Sequence, residues 1–229
     1  MKIKGLQKTT LLDFPSKVAC TVFTGGCNFR CPFCHNASLV LRPDESNGVD
    51  TEEFFSFISK RKGILDGVCI TGGEPLLQPD IIPFIERIRS IGLLVKLDTN
   101  GSFPEKLAEI LDRGLVDYVA IDVKNSSARY AETCGLPVFP ENVLKSIELL
   151  MSGGIDYEFR TTVVDELHSV GDIEDIAKLI KGAKRYFLQN FTDSGDVLES
   201  GFSSCPIDKM NEMLAVARKY IPNTELRGV

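Results

Sequence analysis

The chain has 229 residues, of which 43% are apolar and 25% charged, and its formal net charge is −6 at pH 7. These values are typical of a globular chain that is long enough to bury a sizeable core. The acidic balance and the lack of Lys/Arg runs exclude a basic nucleic-acid surface, so we expect no DNA or RNA partner.

Targeting signals are not expected in this sequence. The first 17 residues lack the uninterrupted apolar segment of a signal peptide, and no later stretch has the length of a membrane span. The seven cysteines do not have the arrangement of a secreted disulfide framework, because three are clustered and four are scattered. We therefore expect a cytoplasmic protein with no membrane partner. Cys134 and Cys205 fall in predicted loops, where free surface thiols are expected.

Strand-like and helix-like segments alternate after the lead-in. Strands are predicted over residues 18–24, 67–71, 93–98, 117–122, 157–164 and 185–189, and helices over residues 51–62, 79–91, 104–113, 141–151, 172–181 and 207–220. Thr51 is the predicted cap of the first helix. Six strand-helix repeats predict an α/β fold with a parallel sheet and helices outside it.

The repeat pattern alone does not separate an open doubly wound sheet from a barrel, although a closed eight-unit barrel would need about 250 residues. No linker or low-complexity segment interrupts the alternation, so we predict a single domain over residues 1–229. Three long connections, residues 36–50, 124–140 and 190–206, follow the carboxyl ends of strands, where such folds place their chemistry. We expect these connections to form the rim that selects the substrate.

The loop after the first strand carries three cysteines at intervals of four and three residues, Cys27, Cys31 and Cys34. They are too close together for useful disulfides and suited to hold one inorganic centre. A four-iron cluster with three protein thiolates keeps one iron open for another ligand. The alternative is a structural zinc site with His35 as fourth ligand, but neighbouring residues rarely point at one ion and the chain has no second cysteine pair of suitable spacing.

Polar residues follow the next two strands. Gly72-Gly73-Glu74-Pro75 reads by itself as a glycine-rich turn in which the proline begins a helix. Asp98 and Asn100 are two residues apart and share a face of an extended segment, while Asn100-Gly101 is also a common turn pair.

Charged residues lie at the end of the fourth strand and on the fifth strand. Asp122 and Lys124 share a face, and Arg160 lies on the fifth strand. Asp98 and Asp122 would lie on neighbouring strands, where two carboxylates repel unless one is protonated or a cation lies between them. Lys124 and Arg160 are candidate donors for a carboxylate or a ribose, and the alternative for each is a solvated surface position.

Together, Cys-x3-Cys-x2-Cys after an apolar strand and Gly-Gly-Glu-Pro after the next strand resemble the radical S-adenosylmethionine enzymes. The resemblance implies a six-unit partial (β/α) barrel, open at one side, with a 4Fe-4S cluster on Cys27, Cys31 and Cys34 and S-adenosylmethionine on the open iron. It implies that one electron cleaves this cofactor to a 5'-deoxyadenosyl radical, which takes hydrogen from a substrate. The residues it implies at the cofactor are Phe33, His35, Gly72, Gly73, Glu74, Asp98, Asn100, Lys124 and Arg160.

The lead-in, residues 12–19, followed by residues 23–27, is similar to the start of the glycyl-radical-enzyme activases, most closely the activating proteins of anaerobic ribonucleotide reductase. This resemblance implies a glycyl-radical enzyme as the partner and a low-potential electron donor such as flavodoxin or ferredoxin. It also implies a monovalent cation at Asp98, Thr99 and Asp122. Activases commonly have glycine on both sides of the lead-in proline, whereas Phe14 and Ser16 flank Pro15 here.

Two other functions are compatible with the motifs. The same radical could act on a small molecule, such as a 7-deazapurine precursor, or on a peptide. A non-enzymatic iron-sulfur electron carrier would explain the cysteines but would give Gly72 to Glu74, Asp98 and Lys124 no role. Because an open iron is exposed to oxidants, we expect activity only under anoxic conditions.

Overall fold

The computed structural model describes residues 1, 3–42, 48–136, 141–193 and 195–229. Within this part of the chain, eight strands form one sheet that is not closed, and their order in the sheet is their order in the chain. The pair β1–β2 is antiparallel, and the pairs β2–β3, β3–β4, β6–β7 and β7–β8 are parallel. The predicted α/β fold with a parallel sheet is confirmed.

The bounds of the strands and helices agree with the predicted alternation. The strands are β1 (Ile3–Thr10), β2 (Ala19–Thr24), β3 (Gly67–Gly72), β4 (Leu94–Thr99), β5 (Tyr118–Asp122), β6 (Asp156–Val163), β7 (Tyr186–Asn190) and β8 (Thr224–Arg227). The helices are α1 (Ala37–Leu41), α2 (Thr51–Lys60), α3 (Ile81–Ile91), α4 (Pro104–Asp112), α5 (Tyr130–Cys134), α6 (Glu141–Ser152), α7 (Val170–Leu179) and α8 (Ile207–Arg218), and a 3₁₀ turn spans Pro75–Leu77.

Four elements were not predicted, namely β1, β8 and the short helices α1 and α5. The middle of β1 is exposed and largely polar, so it lacks the apolar run of a covered strand. The other three elements have only four or five residues, which is too short for a periodic pattern to be read. None of the described helices has the length and apolarity needed to span a bilayer.

The chain divides into two compact units, and the first comprises Met1–Asn28, Ser38–Thr99 and Phe103–Val119. Its strands β2 and β3 are apolar and mostly buried, as parallel strands covered on both faces must be. Asp50 caps α2 by accepting hydrogen bonds from the Glu52 and Glu53 amides at 2.8 and 3.0 Å. The prediction of Thr51 as the cap was wrong by one residue, because the carboxylate of Asp50 reaches the free amides of the first turn.

The second unit comprises Phe29–Ala37, Asn100–Ser102 and Ala120–Val229. Here β6, β7 and β8 pair in parallel, and α7 begins with a capping box between Ser169 and Asp172. The expectation of one domain over the whole chain stays a prediction. Parts of the predicted rim, residues 43–47, 137–140 and 194, lie outside the described residues.

Cysteine burial follows the elements. Cys20 and Cys69 are fully buried in β2 and β3, as expected of small apolar side chains. The prediction of surface thiols was wrong for Cys134 and Cys205, which are 0% and 2% exposed. Cys134 ends the unpredicted helix α5, and the backbone of Cys205 is held at both its N–H and its carbonyl by the Asn190 side chain.

Candidate functional site

The cysteine loop begins where β2 ends, at the carboxyl end of a parallel strand. Cys27 belongs to the first unit and is half-buried, whereas Cys31 and Cys34 belong to the second unit, where Cys31 is 7% exposed. A turn joins the last two, because the Cys34 amide donates to the Cys31 carbonyl at 3.0 Å. None of the three forms a disulfide bond within the described residues.

Two segments of the second unit hold this part of the loop. The Arg30 amide donates to the carbonyl of Cys134 at 2.8 Å, and the Glu199 amide donates to the carbonyl of Pro32 at 2.9 Å. The second contact comes from the predicted rim connection 190–206. Gly135 makes the first contact sterically feasible, because a Cβ at this position would lie 1.9 Å from the Arg30 carbonyl oxygen.

The two thiols of the second unit differ in their electrostatic surroundings. A hydrogen bond from Cys134 holds the pKa of Cys31 below its usual value against the opposing effect of burial, and the Lys124 cation acts in the same direction. Burial raises the pKa of Cys34. Cys31 is therefore the better stabilised thiolate of the two.

The aromatic neighbours of these cysteines pack on Phe191. Phe33 is buried and meets the Phe191 ring edge-on, with centroids 6.3 Å apart. His35 is exposed and stacks on Phe191, with the two ring centroids 5.1 Å apart. Contacts of Phe33 and His35 with a cofactor remain predictions.

In the first unit, the Gly-Gly-Glu-Pro segment packs against the start of the cysteine loop. A Cβ on Gly72 would lie 2.3 Å from the Thr24 amide nitrogen, and one on Gly73 would lie 1.9 Å from the Gly26 carbonyl oxygen. The Gly73 and Glu74 amides donate to Thr24 and Gly26 at 3.0 and 2.8 Å. The close approach of this segment to the backbone of Thr24 and Gly26 therefore requires glycine at both positions. This requirement is independent of any contact between the glycine carbonyls and a ligand.

The Glu74 carboxylate is fully buried and connects the ends of β3 and β4 through hydrogen bonds. Its Oε1 accepts from the Leu76 amide at 2.9 Å and from the Thr99 hydroxyl at 2.8 Å, which links the end of β3 to the end of β4. Gln78 donates to the Gly25 carbonyl at 2.8 Å, and Lys106 donates to the Leu76 carbonyl at 2.7 Å. Sequence reasoning missed Gln78 and Lys106, because their partners are distant in sequence and no local motif marks them.

Asp98 and Asp122 each have a cationic partner within their own unit. Asp98 pairs with Lys96, whose side chain is almost fully buried. Asn100 begins a turn, and its Oδ1 accepts from the Ser102 amide at 2.9 Å and from the Ser102 hydroxyl at 2.6 Å. The turn interpretation of Asn100-Gly101 is thereby confirmed, and the cofactor contact of Asn100 stays a prediction.

In the second unit, Asp122 lies between two cations. Lys124 Nζ is 3.0 Å from one carboxylate oxygen, and Arg160 Nε is 2.8 Å from the other. Burial alone would raise the pKa of Asp122, but Arg160 and Lys124 hold that pKa well below its usual value. Burial likewise opposes the charge on Lys124, and Asp122 holds the pKa of that ammonium above its usual value. The spacing of two residues between Asp122 and Lys124 is the sequence signal for this pair.

The described residues contain no group of three His, Cys, Asp or Glu side chains arranged around a single metal ion. The donor set in the cysteine loop consists of thiols, which are the usual protein ligands of an iron-sulfur cluster. Its residue types therefore fit such a cluster.

Comparison with known proteins identifies the family of the chain. Residues 21–194 match the family model of the Radical SAM superfamily. A protein of Methanocaldococcus jannaschii, provisionally named a glycyl-radical enzyme activating enzyme, is 36% identical over 235 residues, covering 99% of this chain and 96% of its own length. A 7-carboxy-7-deazaguanine synthase of Methanopyrus kandleri is 29% identical over 196 residues, covering 76% of this chain and 73% of its own.

Two solved structures are similar in fold. Streptococcus suis SuiB bound to S-adenosylmethionine has a TM-score of 0.71 at 16% identity, over 90% of this chain and 49% of SuiB. A domain of pyruvate-formate lyase-activating enzyme from Bacteroides vulgatus has a TM-score of 0.58 at 19% identity, over 71% of this chain and 99% of that domain. These likenesses concern the fold and confirm the open partial barrel. Since the family model covers most of the chain and the first relative matches it over nearly its whole length, the chain belongs to the radical SAM superfamily.

Proposed function

We propose that this chain is a glycyl-radical activating enzyme, whose substrate is a glycine residue of a partner protein such as an anaerobic ribonucleotide reductase. The observation that carries the proposal is the 36% identity to the Methanocaldococcus jannaschii relative, which spans 99% of this chain and 96% of the relative. A match over both full lengths supports a shared function better than a match confined to the radical SAM core. The lead-in resemblance supports the same class.

Membership of the superfamily implies a 4Fe-4S cluster and S-adenosylmethionine as cofactors. We assign the cluster to Cys27, Cys31 and Cys34, since three thiolates keep one iron open for the amino and carboxylate groups of S-adenosylmethionine. The reduced cluster and the bound S-adenosylmethionine together supply a 5'-deoxyadenosyl radical. Membership also favours an enzyme over an electron carrier.

The chain contributes charge and rigidity to this chemistry. Lys124 and Arg160 share Asp122, so the three groups together have a net positive charge that favours the cofactor carboxylate. Their ion pairs hold both cations in place before the cofactor arrives, which reduces the ordering needed on binding. Glu74 fixes the turn beside Gly72 and Gly73, whose carbonyls are the proposed acceptors for the methionine ammonium.

We also propose that a monovalent cation binds at Asp98, Thr99 and Asp122. Both carboxylates already have protein cations as partners, so charge balance alone does not require the ion. If it binds, the affinity for S-adenosylmethionine should rise with potassium or sodium, and Asp122→Ala should abolish that dependence. Equal affinities at every salt concentration would remove the cation from the proposal.

The first experiment tests the cofactors. Anaerobically reconstituted protein should hold about four irons per chain, and with a low-potential reductant it should cleave S-adenosylmethionine to 5'-deoxyadenosine and methionine. A variant with Cys27, Cys31 and Cys34 changed to Ala should do neither. Colourless wild-type protein that carries only stoichiometric zinc would contradict the proposal.

The second experiment tests the substrate. Incubation with a glycyl-radical enzyme from the same genome should give a glycyl radical signal on that partner by electron paramagnetic resonance. A partner labelled with deuterium at the glycine Cα should transfer the label to 5'-deoxyadenosine. We propose flavodoxin or ferredoxin as the electron donor, which can replace the chemical reductant in the same assay.

A deazapurine-forming activity is the second candidate, because the Methanopyrus kandleri relative named for it covers 76% of this chain. The label experiment separates the two functions. Deuterium transfer from a pterin-type precursor, with none from any glycyl-radical partner, would favour the small-molecule reaction.

A further inference from the structure

The hydroxyl proton of Tyr130 is buried without an acceptor. Tyr130 is the first residue of α5 and is 2% exposed. The Lys124 backbone lies beside its Oη as a donor, and no acceptor for the O–H proton lies at hydrogen-bond distance within the described part of the chain. The ring is fixed by an edge-on contact with Phe29, with centroids 6.4 Å apart. Buried hydroxyls nearly always donate to a partner, so this one indicates a missing acceptor.

One helical turn later, the thiol of Cys134 is a second potential hydrogen-bond donor on α5. Cys134 is four residues from Tyr130 and therefore on the same side of the helix. Cys134 is fully buried, and its thiol hydrogen-bonds the side chain of Cys31. The Arg30 amide, which donates to the Cys134 carbonyl at 2.8 Å, ties the end of α5 to the cysteine loop.

Electrostatics places Tyr130 in the same neighbourhood. Burial raises the pKa of its hydroxyl, and Cys134 and Cys31 act in the same direction, while the Lys124 backbone opposes the shift. The hydroxyl therefore acts as a donor, and the sulfur of Cys31 is an acceptor in its neighbourhood.

We propose that Tyr130 and Cys134 are positioning residues that donate hydrogen bonds to sulfur at the Cys31 side of the cluster and raise its reduction potential. The inference rests on the proposed function, because it needs the cluster at Cys31. Reduction adds negative charge to the cluster, and donors to its sulfurs stabilise that charge, which shifts the potential to less negative values. The two residues would thus make the cluster easier for a cellular donor to reduce.

Tyr130→Phe tests this role, with Tyr186→Phe as the matched control. Tyr186 is a fully buried tyrosine of the same unit whose hydroxyl has a protein partner, Thr161, at 2.8 Å. The reduction potential of the anaerobically prepared holoprotein is measured by electron paramagnetic resonance during a mediated redox titration. For Y130F we expect the ratio of reduced to oxidised cluster at a fixed potential to fall at least threefold, which corresponds to about 30 mV for one electron. Y186F should leave the ratio unchanged.

Two substitutions of Cys134 test whether a hydrogen-bond donor is needed at this position. Cys134→Ala removes the donor and should shift the ratio in the same direction as Y130F, whereas Cys134→Ser keeps a donor and should restore most of the wild-type ratio. A C134S protein that behaves like C134A would overturn the part assigned to Cys134.

Stability of the cluster-free protein gives an independent readout. Y130F should unfold at about the same urea concentration as the wild type, because the O–H proton has no protein acceptor to lose, whereas Y186F should unfold at a lower concentration. Suppose the wild-type holoprotein holds a four-iron cluster. A Y130F variant with the same reduction potential, or with a lower iron content, would then overturn this inference alone. Wild-type protein unable to hold the cluster would instead overturn the proposed function.

Discussion

Ser16 adopts a backbone conformation that glycine normally takes. Its φ is 60°, and among the described residues it is the one non-glycine with positive φ. The turn is closed by a hydrogen bond from the Lys17 amide to the Phe14 carbonyl at 3.1 Å, and Phe14 is buried. Serine here therefore has a left-handed conformation that glycine would adopt without strain.

Ser16→Gly should therefore stabilise the protein. Relief of the left-handed strain outweighs the greater chain entropy of glycine, and we expect a gain of about 0.5 to 1 kcal/mol in the free energy of unfolding. Urea unfolding measures this gain. Ser56→Gly, the same change on the exposed face of α2, should lower stability. Loss of stability in S16G would show that the serine is not strained.

His168 lies between a predicted strand and a predicted helix, and the structure buries it. Its Nε2 is 2.9 Å from the Lys124 carbonyl oxygen, and its Nδ1 accepts from the Val164 amide at 3.1 Å. This pattern requires the neutral ring, with the proton on Nε2. Burial lowers the pKa of His168, with a smaller contribution from Arg129, while the Lys124 and Val164 carbonyls and Asp172 oppose the shift.

Stability should therefore fall as the pH is lowered through the histidine range. Between the depressed pKa of the folded state and about 6.5, the unfolded chain binds more protons than the folded one, so the free energy of unfolding rises with pH and levels off above that value. His168→Gln should flatten this slope between pH 5.5 and 7.5 in urea unfolding. His35→Gln, at the exposed histidine, should keep most of it. An unchanged slope in H168Q would contradict this assignment.

At the scale of elements, the end of α5 determines how closely the cysteine loop can approach it. Gly135 follows α5 with φ 67°, and its missing Cβ leaves room for the Arg30 carbonyl. Gly182 has a similar φ of 87°, but a Cβ there would meet nothing within 4 Å. Alanine substitutions at the two glycines therefore distinguish the cost of left-handed backbone strain from the cost of steric overlap.

Gly182→Ala should cost about 1 kcal/mol from left-handed strain alone. Gly135→Ala should cost about 3 kcal/mol or more, because the new methyl group also displaces Arg30 and the residue after it, Cys31. Iron content after anaerobic reconstitution should fall in G135A and stay normal in G182A. Equal unfolding free energies for the two variants would contradict the steric account.

At the scale of the whole chain, the last strand is tied back to β6 by a buried charge. Arg227 of β8 makes two hydrogen bonds of 3.1 Å to Glu158, which is 1% exposed. Its guanidinium carbon also lies 3.3 Å from the centroid of the Phe187 ring on β7. Arg160 is 3.9 Å from the same carboxylate, so Glu158 lies between two arginines.

Arg227→Met should lower the free energy of unfolding by about 2 to 4 kcal/mol, because it removes the cation that makes two hydrogen bonds to the buried Glu158 carboxylate. Glu158→Gln combined with Arg227→Met should lose less than the sum of the two single variants, by about 1 kcal/mol or more. A double-mutant cycle in urea measures this coupling. Additive losses would show that the pair contributes nothing specific.

The local sequence predicted the elements and the positions of the motifs. Apolar runs and helical periodicity placed all six strand-helix repeats, because burial on both faces of a parallel strand leaves a continuous local signal. The same reasoning placed Cys27 shortly after β2 and Gly72 at the end of β3, since a motif that follows a covered strand lies at its carboxyl end. The cofactor set then followed from three thiolates at that position and from family membership.

Only the tertiary structure decided which groups meet. Glu74 with Thr99, Asp122 with Arg160, and Cys31 with Cys134 are joined across separate elements. A one-dimensional pattern records each residue's own polarity but not its distant partner, and burial makes that partner decisive for charge and hydrogen bonding. For the same reason the sequence identifies Tyr130 only as an aromatic residue, whereas the tertiary structure shows that its hydroxyl proton is buried without an acceptor among the described residues.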